Sequence, residues 1–240
     1  MTPERSYPTP VPIVALDLPG ATQALALLDR LPRVQWVKVG LQLFTAEGPA
    51  LVTALREQGL RVFLDLKFHD IPNTVAHAVE SAAALGVDLL TLHASGGAAM
   101  MRAARTAAGE PGQGPVLLAV TVLTSLGETE LAESWGRDRV SAEEEVVRLA
   151  ALARDAGMDG VVASVHELTA IRARVGGLRV LTPGIRLAGD QAGDQTRVAT
   201  PARAAALGAD YLVIGRSVTT APDPTAAFDR VLAELARGGE

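Results

Sequence analysis

Short runs of apolar residues alternate with longer amphipathic segments along the whole sequence. Apolar runs of this length predict strands buried on both faces, and apolar positions spaced three or four apart predict helices that pack through one side. The runs predict eight strands, at 12–17, 34–39, 61–67, 89–93, 116–122, 160–164, 179–182 and 211–215. The amphipathic segments predict helices near 21–30, 45–58, 73–85, 97–108, 142–156, 166–174, 201–207 and 223–237. Strands and helices that alternate in this way are typical of one α/β fold, the (β/α)8 TIM barrel.

Local signals support several of the helix positions. Ser141 precedes Glu144 by three residues, which is the pattern of a capping box at a helix start. Pro72 and Pro201 fit the first helical turn, where a missing N–H is tolerated. The stretch 124–140 indicates a long loop with a short helix in it. Because no linker or shift in composition divides the sequence, we expect one barrel domain over 1–240, with a polar N-terminal extension at 1–11.

Composition and charge limit the partners that the protein is expected to have. The sequence is 48% hydrophobic and 20% charged, with a formal net charge of −5 and no long run of Lys or Arg. Nucleic acids and anionic membranes attract concentrated positive charge, so neither is an expected partner. The sequence has no cysteine and no apolar stretch long enough to span a bilayer. We therefore expect a soluble cytoplasmic protein that acts on a small molecule.

Charged and polar residues lie at the predicted strand ends. They are Asp17, Lys38, Asp65, Lys67, His93, Thr124, Arg186 and Arg216. The interior of such a barrel is filled with side chains, and its chemistry takes place at the mouth formed by the carboxyl ends of the strands. Because charged groups are costly to bury beside a core, this set predicts a functional site at the mouth.

The segment DLKFHD at 65–70 carries the densest charge. Asp65 and Lys67 are two residues apart in an extended strand, so their side chains leave the same face roughly 7 Å apart. Lys38 ends the neighbouring strand, and Asp70 lies just beyond the strand end. Such a set can be a structural ion-pair cluster in which the charges neutralise one another. Its position at an open barrel mouth favours catalysis, because an ammonium group beside carboxylates has a shifted proton affinity.

Motifs spread over nearly the whole sequence carry a family resemblance. They are ALD at 15–17, KVG at 38–40, DLKFHDIPNTV at 65–75, LTLHASGG at 90–97, VTVLTS at 120–125, TPGIR at 182–186, GDQTR at 193–197 and IGRS at 214–217. Together they resemble successive motifs of the bacterial orotidine 5′-phosphate decarboxylases. The D-x-K-x-x-D pattern alone is shared with related sugar-phosphate decarboxylases, so the three C-terminal motifs carry most of the specificity.

The resemblance implies a role for each matching residue. The implied catalytic network is Lys38, Asp65, Lys67 and Asp70, with Asp70 and Thr74 reaching into the partner's site of a homodimer. The implied substrate contacts are Asp17 and Lys38 for the ribose, Thr124 and Ser125 for the pyrimidine, and Arg186, Gln195, Gly215 and Arg216 for the phosphate. The implied reaction uses no metal or cofactor: Lys67 stabilises and protonates the C6 carbanion of orotidine 5′-phosphate to give uridine 5′-monophosphate. The stretch 187–194 is the candidate lid, and a ground-state contribution of Asp65 stays open.

The other conspicuous residues favour structural roles. The histidines, His69, His77, His93 and His166, do not have metal-ligand spacing, although a supporting role at the site stays open for His69 and His93. Trp36 and Trp135 fit packing better than base stacking. Three other functions stay open: a metal-dependent sugar-phosphate decarboxylase or synthase, a phosphosugar epimerase or isomerase, and a noncatalytic barrel that binds a phosphonucleotide.

Overall fold

The computed structural model describes residues 7–110, 112–190 and 197–238. The strands are β1 (Val11–Ala15), β2 (Trp36–Gly40), β3 (Arg61–Phe68), β4 (Leu89–His93), β5 (Val116–Val120), β6 (Gly160–Val162), β7 (Arg179–Ile185) and β8 (Tyr211–Ile214). All neighbouring strands are parallel, each strand pairs with the next along the chain, and β8 pairs with β1. The predicted TIM barrel is confirmed.

Helices pack around the barrel and also lie in the loops at its mouth. They are α1 (Ala21–Leu28), α2 (Leu41–Glu47), α3 (Pro49–Glu57), α4 (Pro72–Ala84), α5 (Gly97–Ala108), α6 (Glu128–Ser134), α7 (Ala142–Asp155), α8 (Leu168–Arg174), α9 (Pro201–Ala206), α10 (Arg216–Thr219) and α11 (Pro224–Gly238). Single-turn 3-10 helices lie at Ala94–Gly96 and Val165–Glu167. As predicted, a short helix, α6, lies within the long loop at 124–140, and Pro72 and Pro201 begin their helices.

The structure corrects several element limits. The predicted helix 45–58 consists of two helices, α2 and α3, separated by Gly48. Gly48 has a φ of 65°, which turns the chain, and the following proline begins a new helix. β1 begins at Val11, inside the predicted N-terminal extension, and α10 was not predicted. Ser141 caps α7 by accepting the Glu144 backbone N–H at 3.4 Å, but the Glu144 carboxylate binds Arg174 instead of completing a capping box.

The alternation of side chains along the strands divides the apolar core into two layers. The layer inside the barrel consists of Ile13, Ala15, Phe63, Leu89, Leu118, Val120, Val162, Leu181, Tyr211 and Val213. The larger layer lies between the sheet and the helices and takes the intervening positions, such as Val14 and Leu64. Asp65 follows Phe63 by two residues, and Lys38 follows Trp36 in the same way. The interior face of the strands therefore changes from apolar to charged toward the carboxyl mouth.

A repeated Gly-x-Asp motif fixes the opposite end of the barrel. It occurs at 86–88, 157–159 and 208–210, directly before β4, β6 and β8. The three glycines have φ values of 71°, 82° and 83°, which other residues rarely adopt. Each aspartate accepts a backbone N–H from the preceding strand and binds an arginine of an outer helix. These contacts join Asp88 to Val62 and Arg56, Asp159 to Leu117 and Arg105, and Asp210 to Val180 and Arg172.

Candidate active site

A cavity of 560 Å³ opens at the carboxyl ends of the strands, a size typical of small-molecule sites. Its floor is formed by side chains of the interior apolar layer, such as Phe63 and Val120. Its wall contains most of the predicted site residues, namely Asp17, Lys38, Asp65, Lys67, Thr124, Ser125, Arg186, Gly215 and Arg216. The barrel thus brings together side chains from the ends of β1, β2, β3, β5, β7 and β8.

Four of these charges form one linked network. The Lys67 ammonium lies 2.8 and 2.9 Å from the two carboxylate oxygens of Asp65. The Lys38 ammonium lies 3.7 Å from the same carboxylate and donates to Asp17 at 2.7 Å. The side chains of Lys38 and Asp65 are only 9% and 13% exposed, whereas that of Lys67 is 30% exposed. Because shielding from water strengthens such contacts, the network directs the Lys67 ammonium firmly within the cavity.

Thr91 of β4 was not predicted as a site residue, yet it holds this network in place. Its side chain is fully buried, and its hydroxyl donates to Asp65 at 2.9 Å and accepts the Lys67 backbone N–H at 3.0 Å. Lys67 has a φ of 50°, a left-handed conformation that costs a non-glycine residue about 1–3 kcal/mol. The β3–β4 register shifts between Leu64 and Phe68, around this residue. A polar residue on the interior face of a strand is the sequence signal that points to Thr91.

Two arginines line another part of the cavity. Arg186 follows β7 and is buried, and its Nη1 donates to the carbonyl of Ile185 at 2.9 Å. Burial, and then the positive charge of Arg216, lower the pKa of the Arg186 guanidinium, and Asp190 opposes this shift. Two guanidinium groups that repel each other across one cavity favour an anion between them. This part of the cavity therefore suits a phosphate group.

Some predicted site residues lie elsewhere. Asp70 and Thr74 belong to the exposed stretch 69–74, outside the cavity wall, and Asp70 accepts the Ile71 backbone N–H at 2.6 Å. Gln195 and positions 191–194 of the candidate lid fall outside the residues that the structure describes. Residues 187–190 form a turn after β7. Within a single chain, three members of the predicted tetrad meet and Asp70 does not join them.

The two histidines near the site pack against each other. The rings of His69 and His93 lie 5.1 Å apart between centroids and are tilted by 36°. Burial chiefly, followed by the charges of His69 and Lys67, lowers the pKa of the His93 imidazole, against the opposing charge of Asp65. Among the described residues, no three or more His, Asp or Glu side chains are grouped so that they could hold a metal ion. The lowered pKa favours the neutral imidazole of His93, and its ring packs against His69 beside the charged network.

Comparison with known proteins places this geometry in a family. A profile described as the Orotidine 5′-phosphate decarboxylase / HUMPS family matches residues 10–231, a range that contains all eight strands and the charged mouth. The chain belongs to this family. The resemblance inferred from the motifs is thereby confirmed.

Curated members of the family are similar to this chain over almost their whole length. The orotidine 5′-phosphate decarboxylase of Alkalilimnicola ehrlichii is 56% identical, covering 95% of this chain and 97% of its own. That of Moorella thermoacetica is 53% identical, covering 93% of this chain and 91% of its own. The crystal structure of the Lactobacillus acidophilus orotidine 5′-phosphate decarboxylase superimposes with a TM-score of 0.82 at 37% identity, covering 95% of this chain and 99% of its own.

Within the described parts of the chain, no helix is both long and apolar enough to cross a bilayer.

Proposed function

We propose that this protein decarboxylates orotidine 5′-phosphate to uridine 5′-monophosphate, the last step of de novo pyrimidine nucleotide synthesis. The observation that carries the proposal is the Lys67 ammonium, bound by Asp65 at 2.8 Å, in the same cavity as the paired guanidinium groups of Arg186 and Arg216. The ammonium provides a proton beside the reacting carbon, and the arginines provide charge for a phosphate. The curated relatives bear the name of the same activity.

The two lysines of the chain support this assignment. The sequence contains 22 lysine and arginine residues, and all except Lys38 and Lys67 are arginine. A guanidinium holds its proton too tightly to donate it at neutral pH, whereas an ammonium loses its proton readily once its environment changes. Lysine thus occurs only where this mechanism requires a mobile proton or a compact cation.

The substrate is proposed to lie across the cavity with its phosphate on the arginine side. Arg186 and Arg216 would bind the phosphate oxygens, and the backbone of Gly215 would approach them closely because no side chain intervenes. Gln195 is proposed as a further phosphate contact. The ribose and pyrimidine contacts are then proposed for Asp17, Lys38, Thr124 and Ser125, which line the same cavity.

The charged network around Lys67 accounts for the decarboxylation at the pyrimidine end of the substrate. The bond from C6 to the carboxylate carbon breaks, carbon dioxide leaves, and the electron pair stays on C6. The Lys67 ammonium stabilises this negative charge and donates its proton to C6, so that a neutral amine remains and regains a proton from solvent. Asp65 and Thr91 hold the lysine in its strained conformation, and Lys38 offsets the negative charge of Asp65.

A homodimer is proposed to complete the site. Residues 69–74 are exposed in the single chain, and Ile71, after β3, and Leu41, after the neighbouring β2, are 66% and 58% exposed. Exposed apolar side chains at one end of a barrel are commonly covered by a second subunit. In that arrangement Asp70 and Thr74 would enter the partner's cavity, and the charged tetrad would be complete.

The proposed function is tested first by the ultraviolet absorbance change of orotidine 5′-phosphate on addition of the purified protein, with and without a metal chelator. We expect chelator-insensitive conversion to uridine 5′-monophosphate. Conversion of a sugar phosphate that stops with chelator, or binding of uridine 5′-monophosphate without any turnover, would contradict the proposal. The first result would indicate the metal-dependent relatives, and the second a noncatalytic binder.

Variants of Lys67 separate proton donation from charge. Lys67→Ala is expected to fold and bind uridine 5′-monophosphate but to lose turnover. Lys67→Arg keeps a cation but not a transferable proton, and we expect it to be almost as inactive. Near-normal turnover by Lys67→Arg would refute the role of proton donor.

Mixed dimers test the shared site. A Lys67→Ala subunit and an Asp70→Ala subunit should be nearly inactive alone and regain activity when mixed, because one of the two hybrid sites contains both native residues. Sedimentation must show that subunits exchange. Exchanging, folded mutants that fail to complement would refute the shared site.

A further inference from the structure

Arg197 joins three successive loops at the barrel mouth. It follows β7, and its Nη1 binds the carboxylate of Glu167, which lies after β6. Its Nη2 donates to the carbonyl oxygen of Leu123 at 3.2 Å, and its Nε donates to that of Thr124 at 3.5 Å, both after β5. All three nitrogens of the Arg197 guanidinium thus make contacts, and together they connect the loop at 123–125 to the two loops that follow it along the barrel.

The ion pair at the centre of this arrangement is shielded from water. The side chains of Arg197 and Glu167 are 16% and 6% exposed. The second carboxylate oxygen of Glu167 accepts the Ser164 backbone N–H at 3.0 Å, so the anion is itself fixed. Burial raises the pKa of the Glu167 carboxyl, while the charge of Arg197 opposes that shift. The contacts with Arg197 and the Ser164 backbone therefore fix the Glu167 carboxylate in place, and the charge of Arg197 offsets part of the cost of burying it.

The same short segment is attached to the phosphate side of the cavity. Ala199 forms a parallel bridge with Ile185, and its carbonyl accepts the Arg186 backbone N–H at 2.9 Å. Residues 197–199 therefore contact the proposed phosphate-binding arginine at one end and the 123–125 loop at the other. Thr124 and Ser125 of that loop line the cavity.

We propose that Arg197 is a positioning residue that holds the 123–125 loop against the pyrimidine while its own segment is anchored beside the phosphate site. It touches no substrate in this arrangement and acts through the carbonyl groups of Leu123 and Thr124. The inference rests on the proposed function, since it needs a pyrimidine nucleotide in the cavity. It predicts that contacts to the base and contacts to the phosphate respond differently to loss of Arg197.

The test compares two ligands that share a phosphate but differ in the base. Dissociation constants for uridine 5′-monophosphate and for ribose 5-phosphate are measured by calorimetry in the wild type, Arg197→Lys and Glu167→Gln. Lysine keeps the positive charge beside Glu167 but cannot reach a carboxylate and two carbonyls at once. Loss of a charge-assisted hydrogen bond is expected to weaken uridine 5′-monophosphate binding roughly tenfold in Arg197→Lys, with ribose 5-phosphate binding unchanged within about twofold.

Controls separate positioning from general stability. Arg174→Lys makes the same change in an exposed ion pair with Glu144, where both side chains are about half exposed, and it should leave both affinities unchanged. Glu167→Gln preserves shape and should give a smaller change of the same kind as Arg197→Lys. Circular dichroism and thermal unfolding establish that each variant is folded.

Two outcomes would overturn the inference while the proposed function stands. One is a wild type that converts orotidine 5′-phosphate, with Arg197→Lys and Glu167→Gln retaining full affinity for uridine 5′-monophosphate. The other is equal weakening of both ligands, which would indicate a general loosening of the mouth. A folded wild type that does not convert orotidine 5′-phosphate would overturn the proposed function together with this inference.

Discussion

Thr91→Val removes the hydroxyl that supports the charged network while keeping the shape of the side chain. Thr91 is fully buried and makes two hydrogen bonds, to the Asp65 carboxylate at 2.9 Å and from the Lys67 backbone N–H at 3.0 Å. A hydrogen bond to a charged group contributes about 1.5–3 kcal/mol, and a buried N–H left without an acceptor costs about 1–3 kcal/mol. We expect the free energy of unfolding to fall by roughly 2–4 kcal/mol.

The effect on catalysis follows from the same contacts. Without the hydroxyl, the Asp65 carboxylate is held only by the two lysines, so it is oriented less firmly and directs the Lys67 ammonium toward C6 less well. If about 1.4–2.7 kcal/mol of transition-state stabilisation is lost in this way, kcat falls roughly 10- to 100-fold. The assay is the ultraviolet decarboxylation measurement at saturating substrate, with unfolding by denaturant measured on the same samples.

Thr121→Val is the matched control for this prediction. Thr121 is buried at the same end of the barrel, and its hydroxyl donates to the Val162 carbonyl at 2.8 Å without contacting the network. It should lose about 1 kcal/mol of stability and keep its kcat. Thr91→Ser, which restores the hydroxyl, should recover most of the activity. A Thr91→Val enzyme with kcat within twofold of wild type would refute the positioning role.

Three further predictions concern stability. Asp159→Asn leaves the Arg105 guanidinium, which is 14% exposed, without its charge partner, so the free energy of unfolding should fall by about 2–3 kcal/mol in denaturant titrations. Gly160→Ala would place a Cβ 2.4 Å from the Arg179 carbonyl oxygen within the barrel, so β6 must shift. Calorimetry should show that the free energy of unfolding falls by about 1–3 kcal/mol. The pKa of His93 is lowered in the folded protein, so folding favours the neutral imidazole. The stability that this preference contributes is fully present above pH 6.5, the ordinary pKa of the group, and is lost as the pH falls through the lowered pKa. His93→Gln should therefore lose less stability than wild type between about pH 7.5 and pH 5 in urea titrations.

Each of these predictions has a control and a contradicting result. Asp155→Asn alters an exposed ion pair and Gly176→Ala adds a Cβ with no atom within 4 Å, so both should change stability by under about 0.5 kcal/mol. Equal losses in either matched pair would contradict the assigned contacts. For the pH prediction, the control is His77→Gln, which changes an exposed histidine. If the free energy of unfolding of His93→Gln and of wild type changes in parallel with pH, protonation of His93 is not the cause of the pH dependence.

The sequence by itself determined the barrel and the location of its chemistry. Apolar runs are a local signal, because a parallel strand buried on both faces needs apolar residues at successive positions. Side chains two residues apart share a face, so Asp65 and Lys67 were predictable as neighbours, and their ammonium and carboxylate do meet at 2.8 Å. The order of the strands then places charged strand ends from distant parts of the chain at one mouth.

Only the tertiary structure decided which distant residues support that mouth. Thr91 contacts Asp65 across 26 positions, and Arg197 contacts Leu123 across 74, distances at which no helical or strand period carries information. The left-handed backbone of Lys67 is likewise invisible in the sequence, since local preference disfavours it and the neighbouring strand imposes it. Asp70 shows the same division: its motif is evident from the sequence, but its exposed position depends on how the chain leaves β3. Closure of the barrel brings these groups together. The hydrophobic pattern of the sequence indicates only which face of each strand or helix is buried, and not which distant residues that face contacts.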